Sequence, residues 1–577
     1  MRILFLVHDF NSLGQRLHAE LAADGHDLSV EFDIRDSVTE EAVASFAPDV
    51  VLAPFLKRAI PASIWTKRLC LVVHPGIVGD RGPSALDWAV QQGEIEWGVT
   101  VLQANGEIDA GDIWASRRFP MRAASKASLY RREVGDAALA CVREALARVD
   151  AWRHGCWRPI PLAVAGGRGR LRPLMRQVDR HIDWRLDDTA TVLAKLRAGD
   201  GFPGVADRLF GETCHLYDAH PGPPDIAGEP GACVARREGA ILRRTVDGSV
   251  WIGHVRRKDS DVPIKRPATE AFAAQAALLP ERPAALVRDH DDHGELRYEE
   301  SADGSVGFLS FAFYNGAMGS EQCHRLEAAI AQVAARPTRV LVFTGGPDFW
   351  SNGIHLNRIE AAESAADESW RNIVAMDDVC AAIINLSDRL TVAALRGSAA
   401  AGGCFLALAA DQVWAHPGVV LNPHYRNMGN LYGSEYWTYL LPRRLGPDRA
   451  RQLAGGRLPL TAAGAAEIGL IDACFGSGAD DFEDRMRARA LGLAAAGDLA
   501  ACVQAKAARR AADEAAKPLA AYRDEELAQM HRNFYGFDPS YHVARYRFVH
   551  KIPPSWTPRH LARHRQPGWR PVAGSAP

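Results

Sequence analysis

The sequence predicts a multidomain α/β protein: a Rossmann-like unit, then a small β-barrel, then a second α/β unit that ends in a helical segment. Its 577 residues are enough for three to four domains of about 150 residues each. Buried-strand patterns alternate with helical patterns near the start and again after residue 300, and short alternating strands lie between these regions. With 47% hydrophobic and 24% charged residues, the composition is that of a globular protein.

Charge and cysteine usage narrow the classes of function. Lys and Arg number 68 and Asp and Glu 70, so the net charge is −2, which argues against a nucleic-acid-binding protein. No uninterrupted apolar stretch reaches the roughly 18 residues of a membrane helix, so we expect no membrane span. The 10 cysteines are scattered singly, without a CxxC pair, which favours a reduced, cytoplasmic location.

One short run resembles a metal-binding cluster. Asp289, His290, Asp291, Asp292 and His293 follow each other in a stretch that is rich in Pro and charged residues. That setting favours a solvated linker, so we predict no metal site.

The first region has the pattern of a parallel sheet covered by helices. Near-continuous apolar runs at residues 2–7, 28–32, 50–53 and 69–73 alternate with helical patterns such as residues 13–23. The Gly-x-Gly-x-x-Gly fingerprint is missing after the first run, which argues against a dinucleotide.

A histidine follows the fourth of these strands directly. His74 comes at the carboxyl end of the strand, where open α/β sheets bind ligands, and Pro75 and Gly76 end the strand. Asp109 follows in a turn-like Asp-Ala-Gly. A carboxylate beside an imidazole can orient the ring for proton transfer. Taken singly, His74 could be structural and Asp109 only a turn residue.

The second region predicts a small barrel. One helical pattern at residues 189–198 precedes short alternating strands at 232–236, 240–245 and 250–255.

The third region contains two glycine-rich turns, each after a buried strand. The strand at 340–344 leads into Gly345-Gly346 and on to Ile354, and the strand at 390–395 leads into Gly397 and on to Gly402-Gly403. Such turns expose backbone N–H groups, and two that converge would form an oxyanion hole for a thioester carbonyl. Each turn alone could be no more than a tight turn.

Three motifs of the first region resemble the folate-dependent formyltransferases. They stand in the family's order, as His74-Pro75, Gly98-Val99-Thr100 and Asp109-Ala110-Gly111. The likeness continues into the second region, which resembles the family's OB-like C-terminal domain through Ile182-Asp183-Trp184, Arg197-Ala198 and Gly201-Phe202-Pro203-Gly204. The resemblance implies N10-formyltetrahydrofolate as formyl donor and His74 with Asp109 as the catalytic pair.

The chain departs from this family at one position. The family has Asn two residues before the histidine, and this chain has Val72. Asn11 or Ser12, after the first strand, could supply a polar contact instead. Arg131 could meet the anionic tail of folate, or it could simply lie on a surface helix.

The third region resembles the crotonase (enoyl-CoA hydratase/isomerase) superfamily. The two glycine turns and the segment Asn315-Gly316-Ala317 carry the likeness. The resemblance implies that the N–H groups of Ile354 and Gly402 form the oxyanion hole, and that residues 315–317 contact the adenine of coenzyme A.

The departures from the crotonase pattern argue against hydration. The two glutamates that activate water in hydratases are replaced by Phe405 and Tyr425. One carboxylate remains nearby, Glu435, at a position where some relatives keep an acid/base. Glu435 could also be a helix cap, and Tyr425 could be core packing.

Taken whole, the chain resembles the HoxX-type hydrogenase maturation proteins. The resemblance implies formyl transfer from N10-formyltetrahydrofolate to coenzyme A, followed by decomposition of formyl-CoA to carbon monoxide and CoA, with Glu435 and Tyr425 at the second site. It implies the hydrogenase maturation machinery, or a hydrogenase subunit, as partner. A hydrolase that forms formate, a transferase to another acceptor, a non-catalytic scaffold that docks through the basic tail, and two unrelated fused activities remain as alternatives. The predicted domains are residues 1–165, 166–275, 301–505 and 506–577, with a linker at 276–300.

Overall fold

The computed structural model describes residues 1–288 and 293–569. By their internal contacts, these residues divide into two compact units. The first unit contains residues 1–233, 243–258 and the described residues from 553 onward. The second contains residues 234–242 and 259–552.

The first unit opens with a six-stranded sheet of order β2-β1-β3-β4-β5-β6. The strands β1 to β4 run parallel, as predicted, and β5 and β6 are antiparallel. Its strands are β1 (Arg2–Val7), β2 (Asp27–Phe32), β3 (Val50–Phe55), β4 (Cys70–His74), β5 (Glu96–Gln103) and β6 (Ile113–Pro120). Its helices are α1 (Ser12–Ala23), α2 (Asp36–Phe46), α3 (Ala62–Trp65), α4 (Ala85–Gln91), α5 (Lys126–Arg131), α6 (Glu133–Ala147), α7 (Val149–Arg153) and α8 (Leu162–Ala165).

The apolar run of β1 is explained by burial on both faces of the sheet. Ile3, Phe5 and Val7 belong to one core cluster, while Leu4 and Leu6 belong to another. Alternate side chains of a strand point to opposite faces, so helices must cover both sides. This places the carboxyl edge of the sheet, and not a face, in reach of a ligand.

The predicted barrel is an open sheet. Strands β7 to β11 are arranged in the order β7-β8-β11-β10-β9, and within the described residues the end strands β7 and β9 do not pair. The alternating pattern predicts strands, but it cannot show whether the first and last of them pair, which closure requires. The elements are α9 (Thr189–Gly199), β7 (Val205–Leu209), β8 (Glu212–Pro221), β9 (Cys233–Arg237), β10 (Ala240–Arg244), β11 (Ser249–Arg257) and β12 (Arg266–Pro267), with a 3-10 turn at Gln177–Arg180.

The second unit contains two sheets, of order β13-β14-β15-β17-β19-β22 and β16-β18-β20-β21. The strands are β13 (Leu296–Glu300), β14 (Val306–Phe311), β15 (Val340–Thr344), β16 (Phe349–Ser351), β17 (Leu390–Leu395), β18 (Ser398–Ala400), β19 (Gln412–Ala415), β20 (Val420–Asn422), β21 (Leu460–Thr461) and β22 (Ala473–Cys474). Strands β15 and β17 each lead through a glycine turn into a strand of the smaller sheet, β16 and β18, which pair in parallel. The segments that follow β16 and β18 are therefore brought to the same edge.

Helices complete the second unit and its core. They are α10 (Ala268–Ala271), α11 (Ala273–Ala276), α12 (Ser320–Ala334), α13 (Leu356–Ala361), α14 (Ala365–Ile384), α15 (Gly402–Leu408), α16 (Trp437–Leu445), α17 (Pro447–Ala454), α18 (Ala462–Glu467), α19 (Ala479–Ala495), α20 (Leu499–Ala516), α21 (Leu519–Tyr535) and α22 (Ser540–Val549). Met530 and Phe534 of α21 and Tyr541 of α22 lie in the main core cluster, so this C-terminal helical segment is part of the core.

The basic C-terminal residues pack in part on β2 of the first unit. Thr557, His564 and Arg565 all contact Glu31, which is fully buried. Burial alone would raise the pKa of Glu31, but these hydrogen bonds outweigh it and hold the pKa below its ordinary value of 4.5. Within the described residues, none of the helices combines the length and the apolar character needed to cross a bilayer.

Candidate active sites

His74 ends strand β4 at the carboxyl edge of the first sheet, where it is 3% exposed. Its Nδ1 atom lies 3.5 Å from Oδ2 of Asp109, so the structure brings the two predicted residues together. Its Nε2 atom lies 3.1 Å from Oδ1 of Asp80. Both ring nitrogens therefore face a carboxylate, and the two contacts together fix the orientation of the ring.

Asp80 and Arg172 are site residues that the sequence did not reveal. Nε of the buried Arg172 donates to Oδ2 of the buried Asp80 over 2.9 Å. Arg172 is fixed in turn by Oε1 of Gln92, 2.6 Å from its guanidinium. Arg172 contacts Asp80, Asp80 contacts His74, and His74 contacts Asp109. The predicted pair of His74 and Asp109 is thereby extended by two residues.

Gly76 makes the contact between His74 and Asp80 possible. A Cβ atom at Gly76 would lie 2.3 Å from Nε2 of His74 and 2.8 Å from Oδ1 of Asp80. No residue with a side chain fits at position 76 while His74 and Asp80 are in contact. The glycine after His74-Pro75 is the one signal in the sequence that could have indicated a close approach at this point.

The segment that carries Arg172 is fastened to the loop after β4 by backbone bonds. Gly169 N–H donates to the carbonyl of Val78 over 3.2 Å, and Arg172 N–H donates to the carbonyl of Arg81 over 2.8 Å. A Cβ at Gly169 would lie 1.9 Å from the backbone nitrogen of Asp80. This close packing fixes the position of Asp80 beside His74.

The other predicted residues of the first site have structural surroundings of their own. Asn11 caps helix α1, since its Oδ1 accepts from Gly14 N–H over 3.0 Å, and its Nδ2 lies 3.4 Å from Oη of Tyr130. Ser12 is exposed in the first turn of that helix. Val72, half-buried in β4, offers no hydrogen-bonding side chain, and Arg131 is half-buried at the end of α5.

In the second unit the two glycine turns converge. Ile354 follows β16 and Gly402 follows β18, and these strands pair in parallel. A Cβ on Gly353, whose φ is 79°, would lie 3.4 Å from the backbone nitrogen of Gly402. Gly402 is the first residue of α15, so no carbonyl of that helix can accept a hydrogen bond from its N–H group. The contact brings the Gly353–Ile354 segment beside the first N–H group of α15, so the structure places the two predicted turns next to each other.

Glu435 lies directly against this point. A Cβ on Gly402 would be 1.9 Å from Oε1 of Glu435, so only glycine leaves room for the carboxylate. Oη of Tyr425 lies 2.5 Å from Oε2 of Glu435. Burial, and then the negative charge of Asp377, raise the pKa of Glu435 well above its ordinary value. The structure therefore joins Gly402, Glu435 and Tyr425 in one buried group.

The two positions that carry glutamates in hydratases are filled by stacked aromatic rings. The ring centroids of Phe405 and Tyr425 are 5.2 Å apart and their planes differ by 14°. Phe405 is fully buried and Tyr425 is 6% exposed. The stacked rings thus form a buried aromatic pair, and the hydroxyl of Tyr425 contacts the Glu435 carboxyl group.

Two further buried carboxylates, which the sequence did not single out, lie behind Glu435. Oδ1 of Asp377 accepts from Glu435 N–H over 2.7 Å, and Oε2 of Glu526 accepts from Tyr436 N–H over 2.9 Å. Burial raises the pKa of Asp377 to about 7 and that of Glu526 to about 8, against the effect of these hydrogen bonds.

The predicted adenine segment is tied to the loop that leads to Ile354. Residues 314–316 form a 3-10 turn in which Asn315 has a φ of 56°. Asn352 N–H donates to the carbonyl of Gly316, and Nδ2 of Asn352 donates to the carbonyl of Asn315, each over 2.7 Å. Ala317 follows this turn.

Residues 289–292 of the Asp/His run lie outside the described residues. In the described ranges, 1–288 and 293–569, no group of three or more His, Cys, Asp or Glu side chains is arranged to hold a metal ion.

Three known families match the chain. Formyl transferase matches residues 30–146, the formyl transferase C-terminal domain matches residues 174–265, and enoyl-CoA hydratase/isomerase matches residues 314–559. Together with the two sites, these matches define the class: a formyltransferase and a crotonase-type domain on one chain.

Relatives that span the whole chain identify the family. The hydrogenase maturation factor HoxX of Bradyrhizobium diazoefficiens is 55% identical over 575 residues, 99% of each chain. The crystal structure of HypX from Aquifex aeolicus in complex with tetrahydrofolic acid has a TM-score of 0.94 at 45% identity, covering 99% of this chain and 100% of that one. A methionyl-tRNA formyltransferase of Anaeromyxobacter is 26% identical over 203 residues, 34% of this chain and 63% of that protein. The chain belongs to the HoxX family of hydrogenase maturation factors.

Proposed function

We propose that the protein makes carbon monoxide for the maturation of nickel–iron hydrogenase, in two steps. The first site transfers the formyl group of N10-formyltetrahydrofolate to the thiol of coenzyme A, and the second converts formyl-CoA to CO and CoA. The observation that carries the proposal is the second site: Glu435 lies against Gly402, while Phe405 and Tyr425 stack where hydratases activate water. The folate complex of HypX supports folate at the first site.

In the first step the thiol sulfur attacks the formyl carbon, and the bond from that carbon to N10 breaks. His74 takes the thiol proton and delivers it to the leaving nitrogen, and Asp109 orients the ring. A thiol is more readily ionised than an amine, so transfer does not require the Asn that Val72 replaces. The products are tetrahydrofolate and formyl-CoA.

In the second step the N–H groups of Ile354 and Gly402 polarise the formyl carbonyl. The carboxylate of Glu435 takes the formyl proton, and the carbon–sulfur bond breaks with its electron pair on sulfur. CO leaves, and Glu435 returns the proton to the thiolate. Tyr425 holds the Glu435 carboxyl group by the 2.5 Å contact. Excluding water matters here, because hydrolysis of the thioester would give formate.

The proposed setting follows from this chemistry. The partner is the hydrogenase maturation machinery or a hydrogenase subunit that receives CO, and the place is the cytoplasm, where folate and CoA are at hand. Residues 315–317 are proposed to contact the adenine of CoA.

The experiment is to incubate the purified protein with N10-formyltetrahydrofolate and CoA, trap CO on deoxymyoglobin, and assay formate in the same tube. We expect CO that depends on both substrates and little formate. Formate without CO would overturn the second step and make the second domain a hydrolase. Neither product would favour a non-catalytic scaffold.

A further inference from the structure

The segment that carries Glu435, residues 432–438, leads into the first residues of α16 and has an unusual backbone. Gly433, Glu435 and Tyr436 have φ angles of 93°, 58° and 59°, all in the left-handed region. Two consecutive non-glycine residues in that region persist only where their surroundings hold them. We refer to this segment as the Glu435 loop.

One face of helix α21 accepts hydrogen bonds from the backbone of this loop. Asn533 Oδ1 accepts from Tyr432 N–H over 3.0 Å, and Met530 Sδ accepts from Gly433 N–H over 3.2 Å. Glu526 accepts from the N–H groups of Tyr436 and Thr438, over 2.9 and 2.8 Å. Positions 526, 530 and 533 are spaced by four and three residues, so they share one helix face.

Helix α14 holds the same loop through Asp377. Its Oδ1 atom accepts from Glu435 N–H over 2.7 Å, and its Oδ2 atom accepts from the Ser434 hydroxyl over 2.8 Å. Five N–H groups of the Glu435 loop thus donate to side chains from two helices.

We infer that Asp377 and the α21 face formed by Glu526, Met530 and Asn533 are positioning elements of the second active site, which hold the Glu435 loop so that the carboxylate meets Gly402 and Tyr425. The inference rests on the proposed role of Glu435 in decarbonylation. The inference gives helix α21, which is distant from the glycine turns in the sequence, a role in positioning the second site.

The charges around Glu435 give this arrangement a second effect. Asp377 from α14 and Glu526 from α21 are both buried and acidic, and both disfavour the ionised form of Glu435. Tyr425 donates a hydrogen bond to Glu435. The thiols of Cys323 in α12 and Cys380 in α14 are buried nearby. Nε of Arg523 in α21 lies 3.7 Å from Oδ2 of Asp377. Removing either acid should therefore shift the pH dependence of CO release to lower pH.

The test uses the full chain with formyl-CoA as supplied substrate, and the folate-dependent formation of formyl-CoA as an internal check on folding. The variants are Asp377→Asn, Glu526→Gln, Asn533→Leu and Asn533→Asp. Glu525→Gln is the matched control, because Glu525 is exposed on α21 and pairs with Lys517. Glu435→Gln is measured in parallel.

We expect Asp377→Asn and Glu526→Gln to lower kcat for CO release at least tenfold, leave the KM for formyl-CoA within twofold, and move the acidic limb of the pH profile to lower pH. Asn533→Leu should lower kcat, and Asn533→Asp, which keeps the acceptor oxygen, should restore it. Formyl-CoA formation and the Glu525→Gln variant should be unchanged.

Two outcomes are distinguished. If Glu435→Gln abolishes CO release while Asp377→Asn and Glu526→Gln keep the wild-type kcat and pH profile, the inference is wrong and the proposed function stands. If Glu435→Gln leaves CO release unchanged, the role proposed for Glu435 fails, and the positioning role fails with it.

Discussion

At the scale of single residues, His74 is held between two carboxylates rather than beside one. Asp109 faces Nδ1, and Asp80, itself bound by Arg172, faces Nε2. A ring held at both nitrogens cannot rotate freely. The orientation of the ring is then set by the loop that follows β4 and by Arg172.

We predict that Asp80→Asn lowers the rate of formyl transfer roughly 10- to 100-fold, because the ring of His74 loses one orienting charge. The KM for the folate should change little. The rate is measured as formyl-CoA formed from N10-formyltetrahydrofolate and CoA. Asp112→Asn, at the exposed position directly before β6, is the control. An unchanged rate in Asp80→Asn would exclude a role for this carboxylate.

We predict that Phe405→Glu shifts the product of the second site from CO toward formate. A carboxylate at this position can activate water, whereas the apolar ring of Phe405, which stacks on Tyr425, cannot. Phe405→Leu, which keeps the site apolar, should go on releasing CO. The ratio of CO to formate is measured with formyl-CoA as substrate; equal ratios in all three proteins would contradict the interpretation.

At the scale of elements, strand β2 depends on residues at the other end of the described chain. Glu31 is buried and meets Thr557, His564 and Arg565. A buried carboxylate that loses one partner is strongly destabilising. The C-terminal segment therefore stabilises the first unit rather than lying free.

We predict that His564→Ala destabilises strand β2 by roughly 3 kcal/mol, the usual cost of removing one partner from a buried charge. Hydrogen exchange of residues 27–32 measures this locally, which avoids assuming two-state unfolding of the whole chain. Arg559→Ala, at an exposed site, should change exchange by less than about 0.5 kcal/mol.

The pKa of Glu31 also predicts a pH dependence. Because its folded-state pKa lies below the ordinary value of 4.5, its contribution to stability is present above that value and is lost as the pH falls through the folded-state pKa. Protection of β2 should therefore decrease below about pH 4.5, and less steeply in Glu31→Gln. A protection that rises on acidification would contradict this sign.

The strands that position the sites could be predicted from the sequence. The runs at 340–344 and 390–395 match β15 and β17 residue for residue, because buried parallel strands are continuously apolar. Strand ends followed by glycine turns then located His74, Ile354 and Gly402. The departures Phe405 and Tyr425 predict a site without water-activating glutamates, and in the structure the two rings are stacked.

The partners of these residues could not be predicted, because they are distant in sequence. Arg172 lies 92 residues from Asp80, and Glu526 lies 90 residues from Tyr436. No local pattern marks such pairs, since they depend on how elements pack. The open sheet of β7 to β11 was missed for the same reason: closure depends on a pairing between its ends.

At the scale of the whole molecule, the chain carries two sites in two compact units, and the proposed pathway uses them in order. His74 belongs to the first unit and Glu435 to the second. The two steps should therefore be separable by mutation, which a single active site would not allow.

We predict that His74→Ala abolishes CO formation from N10-formyltetrahydrofolate and CoA but leaves CO release from supplied formyl-CoA within about twofold of wild type. Glu435→Gln should do the reverse: formyl-CoA should accumulate, and CO release should fall roughly 100-fold or more. Loss of both activities in either variant, with the fold intact by circular dichroism, would contradict two separate sites.

We propose above that the second site removes CO from formyl-CoA with Glu435 as the base. The most direct measurement supplies formyl-CoA labelled with carbon-13 at the formyl carbon, with hydrogen or deuterium on it, and follows labelled CO and labelled formate over time. We expect labelled CO as the main product, slower release from the deuterated substrate, and CO release from Glu435→Gln that is lower by roughly 100-fold or more. Labelled formate as the main product, or CO release that Glu435→Gln leaves unchanged, would contradict it.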